Sequence, residues 1–209
     1  MKKFLFSGLY VNLLVWLLVG LSNAESQTPE LIVEQTSAQL LEIINEDADR
    51  IRNDAGFVDS IVNEIVLPII DLQSMGKLIL GKHWKTASEQ QRADFVEQFK
   101  LMLIRTYAKS VADFGDAEII ILPNQDEQKG KFYRVKTQVS LSGSAPLNVD
   151  YIFRQQKDMQ WKAFDLVVDG LSMVKNFRSS FGREITETSL DALIQRIKNT
   201  NIEPVSETT

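Results

Sequence analysis

The chain has 209 residues, no cysteine, one histidine, and 28 acidic against 23 basic side chains for a formal net charge of −5. Without cysteine there is no disulfide framework, no thiolate site and no lipid attachment through an N-terminal cysteine. A lone histidine cannot build the usual histidine-based metal centre, and an acidic chain has no long-range attraction for a phosphate backbone, so nucleic acid is not an expected partner.

Lys2 and Lys3 precede an apolar run, Phe4 to Leu21, and then Ser22-Asn23-Ala24. A basic start, an apolar middle and small residues before a cut make up a secretory signal peptide. Cleavage after Ala24 is expected, with residues 1–24 excluded from the fold and residues 25–209 forming one domain. The run approaches the roughly 20 residues that a spanning helix needs, so a retained anchor is the alternative.

Thr28-Pro29-Glu30 reads as a helix start, with a cap residue followed by proline at the first helical position. Leu31, Val33, Leu40, Leu41, Ile43 and Ile44 follow with helical spacing, a second short helix is expected over 47–57, and Asp59 opens a third that Pro68 bends or ends. Leu72 to Leu80 is a further apolar helix, and Gly81 is placed to terminate it. Overlapping capping boxes at Thr86 to Gln91 start the longest element. Val96, Phe99, Leu103, Tyr107, Val111 and Phe114 recur every three or four residues to its end. About 26 residues of helix would reach about 39 Å, enough to cross a small domain.

The period then shortens to two. Ala117–Leu122 is β-rich, Asn124–Gly130 is a polar loop, and Phe132–Leu141 alternates. Ser142-Gly143-Ser144 and Gln156-Lys157-Asp158 are turns around a strand that carries Leu147, Val149, Tyr151 and Phe153 on one face. Trp161–Val168 is a fourth strand, ended by Asp169-Gly170. Helices over 172–186 and 189–198 close the domain, and a polar tail frays after them. Helices, then antiparallel strands, then helices make the chain α+β, with about four twisted strands.

Catalytic patterns are thin. His83 sits in the lysine-flanked turn Gly81-Lys82-His83-Trp84-Lys85 and reads as a helix-end residue. Ser172 lacks the second glycine of a nucleophile elbow and reads as a helix cap. Asp150 and Asp165 lie on strands with no sign of pairing across a site. What remains is an apolar sheet face opposite apolar helices, which is either an ordinary core or the wall of a cavity; periodicity alone does not separate them.

Two stretches carry more than pattern: Met75 to Tyr107 and Trp161 to Phe177. Leu80-Gly81 with Trp84, Ser88 to Arg92, Phe99 and Tyr107 on the helix, then Trp161, Asp165, Gly170 and Ser172, together resemble the MlaC (toluene-tolerance Ttg2D) family of periplasmic phospholipid-binding proteins. The resemblance implies an NTF2-like fold whose sheet and helices enclose an apolar pocket. It implies a periplasmic carrier of a diacyl phospholipid between the outer-membrane Mla lipoprotein complex and the inner-membrane Mla ABC transporter, maintaining outer-membrane lipid asymmetry. It implies no enzyme activity and no cofactor, and a monomer is expected. Tyr107 and Leu171 are the positions it most directly sets beside lipid. Met75, Leu78, Trp84, Phe99 and Leu103 from the helices, Val139, Tyr151, Phe153, Phe164 and Val168 from the sheet, and Val174 and Phe177 on the closing side complete the candidate set. A one-residue slip of register would exchange the sheet members for their neighbours. The alternatives are a cavity enzyme of the same fold class and a periplasmic adaptor or chaperone that holds no ligand.

Overall fold

Thr28 accepts the amide of Leu31 at 3.3 Å, and Pro29 takes the first position of α1 (Pro29–Asn53). The computed structural model describes residues 27–123, 128–141 and 143–199, apart from the side chains of 109–111. The expected leader, residues 124–127 of the polar loop, Ser142 and the tail from 200 onward lie outside the described residues.

α1 runs through the break expected before Asp47; that residue alone departs from helical geometry, at φ −126° and ψ 28°. Asp54 then caps α2 (Ala55–Ile61) by accepting from Phe57 at 3.0 Å. Proline lacks the N–H that a continuing helix needs. Ahead of Pro68 the chain widens into a π turn, Val62–Val66, and then tightens into a 3-10 turn, Leu67–Ile69. Asp71 caps α3 (Leu72–Leu80), and Gly81, at φ 54°, ends it as expected. A short α4 (Lys82–Thr86) follows. Ser88 and Gln91 exchange bonds of 3.1 and 3.0 Å at the start of α5 (Glu89–Val111), so the capping box forms as read.

The sheet is antiparallel and has six strands rather than about four: β1 (Glu118–Ile121), β2 (Gln128–Lys129), β3 (Phe132–Ser140), β4 (Leu147–Gln155), β5 (Trp161–Val168) and β6 (Leu171–Ser172). The order is β1-β3-β4-β5-β6, with β2 on the far end of β3. Both extra strands are short. Gln128-Lys129 was expected as loop, and Asp169-Gly170 as a break. Both residues of the latter have positive φ, 45° and 85°, as in a two-residue hairpin turn, so the chain folds back to set Leu171 opposite Val168. Ser172 caps α6 (Met173–Glu187), and α7 (Leu190–Asn199) closes the described chain.

Buried residues form three groups. The largest is made by helices alone: Phe95, Phe99 and Met102 of α5 pack with Ile79 and Leu80 of α3, Phe177 and Phe181 of α6, and Leu193 and Ile197 of α7. In the second, Ile32 and Val33 of α1 rest on Val135, Phe153, Trp161 and Ala163 of the sheet. In the third, Ile44 and Ile51 near the end of α1 meet Val58 and Ala112.

Candidate functional site

Register assigns the faces of the sheet. Val135 stands opposite Tyr151, and Tyr151 opposite Leu166; Thr137 opposite Val149, and Val149 opposite Val168; Val139 opposite Leu147. Residues paired across neighbouring strands share a face, so these form one inner face, the one on which α1 rests. One end of it is shut by the α1 cluster. At the other end Val139 and Val149 are buried, while Leu147, Leu166 and Val168 keep part of their surface and belong to none of the three packed groups. Leu171, paired with Val168, is 56% exposed at the rim.

α5 is held by its helical neighbours. It packs on α3 and α7 and reaches α1 and α2, and among the described residues it makes no close backbone packing on a strand. Leu103 lies at the margin of the helical core. Tyr107, one turn on, is half-buried and outside every packed group. The helix thus bridges its helical neighbours, and close backbone contact does not join it to the partly accessible sheet end among the described residues.

A few polar groups fix the frame. The Tyr133 hydroxyl donates to Glu30 near the start of α1. The Tyr151 hydroxyl shares hydrogen bonds with Ser37 of α1 and Thr137 of β3. Thr137 is fully buried and donates to the Val149 carbonyl at 2.8 Å. Burial pushes the Tyr151 phenol above its ordinary range, and the two hydroxyls pull it part of the way back. These contacts pin α1 to the sheet.

Several expected site residues lie elsewhere. Phe99 is 1% exposed, with its ring 5.1 Å from Phe177 and 5.8 Å from Phe95. Phe99, Val174 and Phe177 are thus closed core, with no free surface for a ligand. The reason is helical pitch: a spacing of four residues advances about 400°, so the stripe turns by about 40° per step between Phe99, Leu103 and Tyr107. Phe153 faces inward but is fully buried beneath α1. Met75, Leu78 and Trp84 pack at the edge of the helical core, away from the inner face. Phe164 is on the opposite face: a bulge shifts the register of β5 against β4 between Ile152 and Phe153, and the Phe164 ring meets Phe132 at 5.8 Å there. Tyr151 packs under α1, Leu103 packs on the helical core and Tyr107 is half-buried outside the packed groups, while Val139, Val168 and Leu171 remain at the open end of the sheet. Leu147 and Leu166 join them without having been singled out in sequence; Leu147 was readable from its alternation with Val149, whereas Leu166 needed the bulge.

The carboxylates considered for catalysis hold structure together. Asp150 pairs with Arg134 at 3.2 Å. Asp165 accepts Ser172 Oγ at 2.5 Å and the Val174 amide at 3.0 Å, fastening β5 to the start of α6. Ser172 caps that helix as expected, accepting from Lys175 at 3.1 Å. Among the described residues no group of three His, Asp or Glu is placed to hold a metal ion, and no helix is long and apolar enough to cross a membrane.

Comparison with known proteins sets this geometry in a lineage. The family model for "MlaC protein" matches residues 34–199. The Haemophilus influenzae intermembrane phospholipid transport system binding protein MlaC is 24% identical over 180 residues, covering 85% of this chain and 84% of that one. Toluene tolerance protein ttg2D of Pseudomonas putida is 25% identical over 157 residues, covering 75% and 72%. A solved Ralstonia solanacearum phospholipid-binding protein, in complex with a phospholipid, superposes with a TM-score of 0.75 at 23% identity, covering 81% of this chain and 94% of that one.

Proposed function

The chain belongs to the MlaC family, and from that premise we propose that it carries one diacyl phospholipid through the periplasm, tails sheltered between α5 and the inner sheet face and head group outside. The observation that carries this reading is a sheet end whose apolar residues Leu147, Leu166 and Val168 keep part of their surface outside the packed groups, with no close backbone packing of α5 on a strand among the described residues. Two acyl tails hold roughly 30 methylenes, and at about 0.8 kcal/mol each their exposure to water would cost on the order of 24 kcal/mol. A carrier has to replace the bilayer interior almost completely. A sheet end lined by carbon from Leu147, Leu166 and Val168 suits that task, whereas acid–base catalysis would need a carboxylate or imidazole aimed inward.

Residues 1–24 act in this reading as the export signal, leaving a mature chain that begins at Glu25. The relatives' names support service to an intermembrane transport system; the outer-membrane and inner-membrane Mla complexes are the expected donor and acceptor, and lipid asymmetry of the outer membrane the expected outcome. Native mass spectrometry of protein purified from periplasm without detergent tests both parts. One diacyl phospholipid per chain starting at Glu25 is expected. A lipid-free chain that takes up no lipid from vesicles would defeat the carrier reading, and an intact Met1 on membrane-bound protein would make the leader an anchor.

A further inference from the structure

Five cationic side chains meet at a second place, a recess of about 460 Å³ between the α3–α4 turn and α6. Lys77, Lys82 and Lys85 come from the turn and its helices, Arg178 from α6, and Arg154 from β4. No carboxylate lines it. Among the described residues Lys77, Lys82, Lys85 and Arg178 form no ion pair. In a chain of net charge −5 such a gathering is no consequence of composition. Like charges around a concavity repel one another and focus a positive potential into it, and an anion relieves both.

One of the two arginines is held in place. Arg154 donates to Asp71 at 2.7 Å and to the Ser74 hydroxyl. Gly81, at φ 54°, has no Cβ, and one added there would come within 3.1–3.2 Å of the Arg178 guanidinium, which therefore lies close against the bare backbone. Planar guanidinium forks with lysines around them suit the several oxygens of a phosphate. Half-buried Trp84 and Leu78 add an apolar wall. The volume falls within the range of small-ligand sites and is short for an extended acidic segment.

We propose that this recess is a seat for a phosphate group borne on a small polar body, either the head group of an anionic phospholipid at a bilayer surface or a free phosphate ester. It is distinct from the acyl site: Trp84 and Leu78 border the helical core, not the inner sheet face. The proposal stands whether or not the carrier reading does.

Trp84 reports on the recess, with Trp84→Phe identifying its share of the fluorescence. The full mature chain is titrated with glycerol 3-phosphate and with inorganic phosphate, and sedimented with phosphatidylglycerol or phosphatidylcholine vesicles at low and at 0.5 M salt. The same is done for Lys82→Glu/Lys85→Glu and for Arg178→Gln, with co-purified lipid and thermal unfolding measured on each. Expected is salt-sensitive binding to phosphatidylglycerol vesicles with glycerol 3-phosphate competing, weakened at least tenfold in both variants while lipid content and unfolding stay as in wild type. A saturating Trp84 response to the soluble phosphates with no vesicle binding would assign the seat to a free ester. No response to either soluble phosphate together with no vesicle binding would overturn the proposal. Variants that bind as wild type does, or polyglutamate binding where both phosphates fail, would overturn it as well.

Discussion

Asp71 joins three parts of the chain at one carboxylate. It caps α3 through the Ser74 amide at 2.9 Å, accepts the Ser74 hydroxyl at 2.6 Å, and pairs with Arg154 of β4. Burial by itself would raise its pKa, but the two Ser74 bonds and then Arg154 outweigh it and hold the group below its usual 3.8. A depressed carboxylate stabilises the fold at pH values above its unfolded pKa and loses that contribution as pH falls through the folded value. Asp71→Asn keeps a competent cap and removes only the charge. It should cost about 1 kcal/mol at pH 7, as expected for a partly hydrated pair, and little at pH 3. Urea unfolding at both pH values measures this; an equal loss at the two would show that the charge contributes nothing. Tyr151→Phe should likewise cost about 1 kcal/mol, since it takes a shared hydroxyl from Ser37 and Thr137. With the phenol raised by burial, wild type should also lose stability as pH climbs past 10.0, a decline that the phenylalanine variant shows less.

Elements were more legible than their joints. The capping residues Thr28, Ser88 and Ser172 all act as their spacing says, and the alternation of Tyr133 to Val139 marks the inner face of β3 correctly. Such signals are local, so a single chain displays them. The bulge in β5 is not local: it exists only against β4, and it moves the inward set from even to odd numbers between Leu166 and Ala163. Phe164 therefore lies on the face opposite to the one alternation predicts, and Leu166 on the inner one. The Asp169-Gly170 pair is turn material, but two residues of strand beyond it leave almost no pattern, so the sequence shows only a break. The cationic recess was half visible, as lysines flanking His83; Arg154 and Arg178 join them only through folding. A pair of substitutions tests the faces. Leu166→Asn should lower lipid retained per protein severalfold, since it sets an amide against acyl carbon. Phe164→Ala should leave retention unchanged and cost about 1–3 kcal/mol of stability through its half-buried ring. The reverse outcome would mean that the outer face holds the ligand.

At the scale of the molecule, two regions have different relations to a ligand. The helical core of α3, α6, α7 and the first half of α5 is closed by its own aromatic contacts and gains nothing from lipid. The open end of the sheet, where Leu147, Leu166 and Val168 lie outside the packed groups, would be completed in the proposed carrier when something apolar covers it. A ligand present at about 100 times its Kd stabilises the folded state by about 2.7 kcal/mol, which for a chain of this size is a rise in Tm of about 5–10 °C. Stripping lipid from wild type should remove that rise and speed amide exchange in the second region alone. Leu171→Glu should produce the same state by another route. At 56% exposure on the β6 rim, the new carboxylate stays hydrated in the empty protein, so folding loses little. Beside an acyl chain it would be desolvated, at a cost of several kcal/mol or of forced protonation, and the lipid leaves instead. The variant should therefore match stripped wild type in Tm, in exchange pattern and in lacking lipid. Lipid content equal to wild type would remove Leu171 from the site. A Tm well below that of stripped wild type would mean that the residue supports the fold itself, and the rim would have to be sought among Leu147 and Val168.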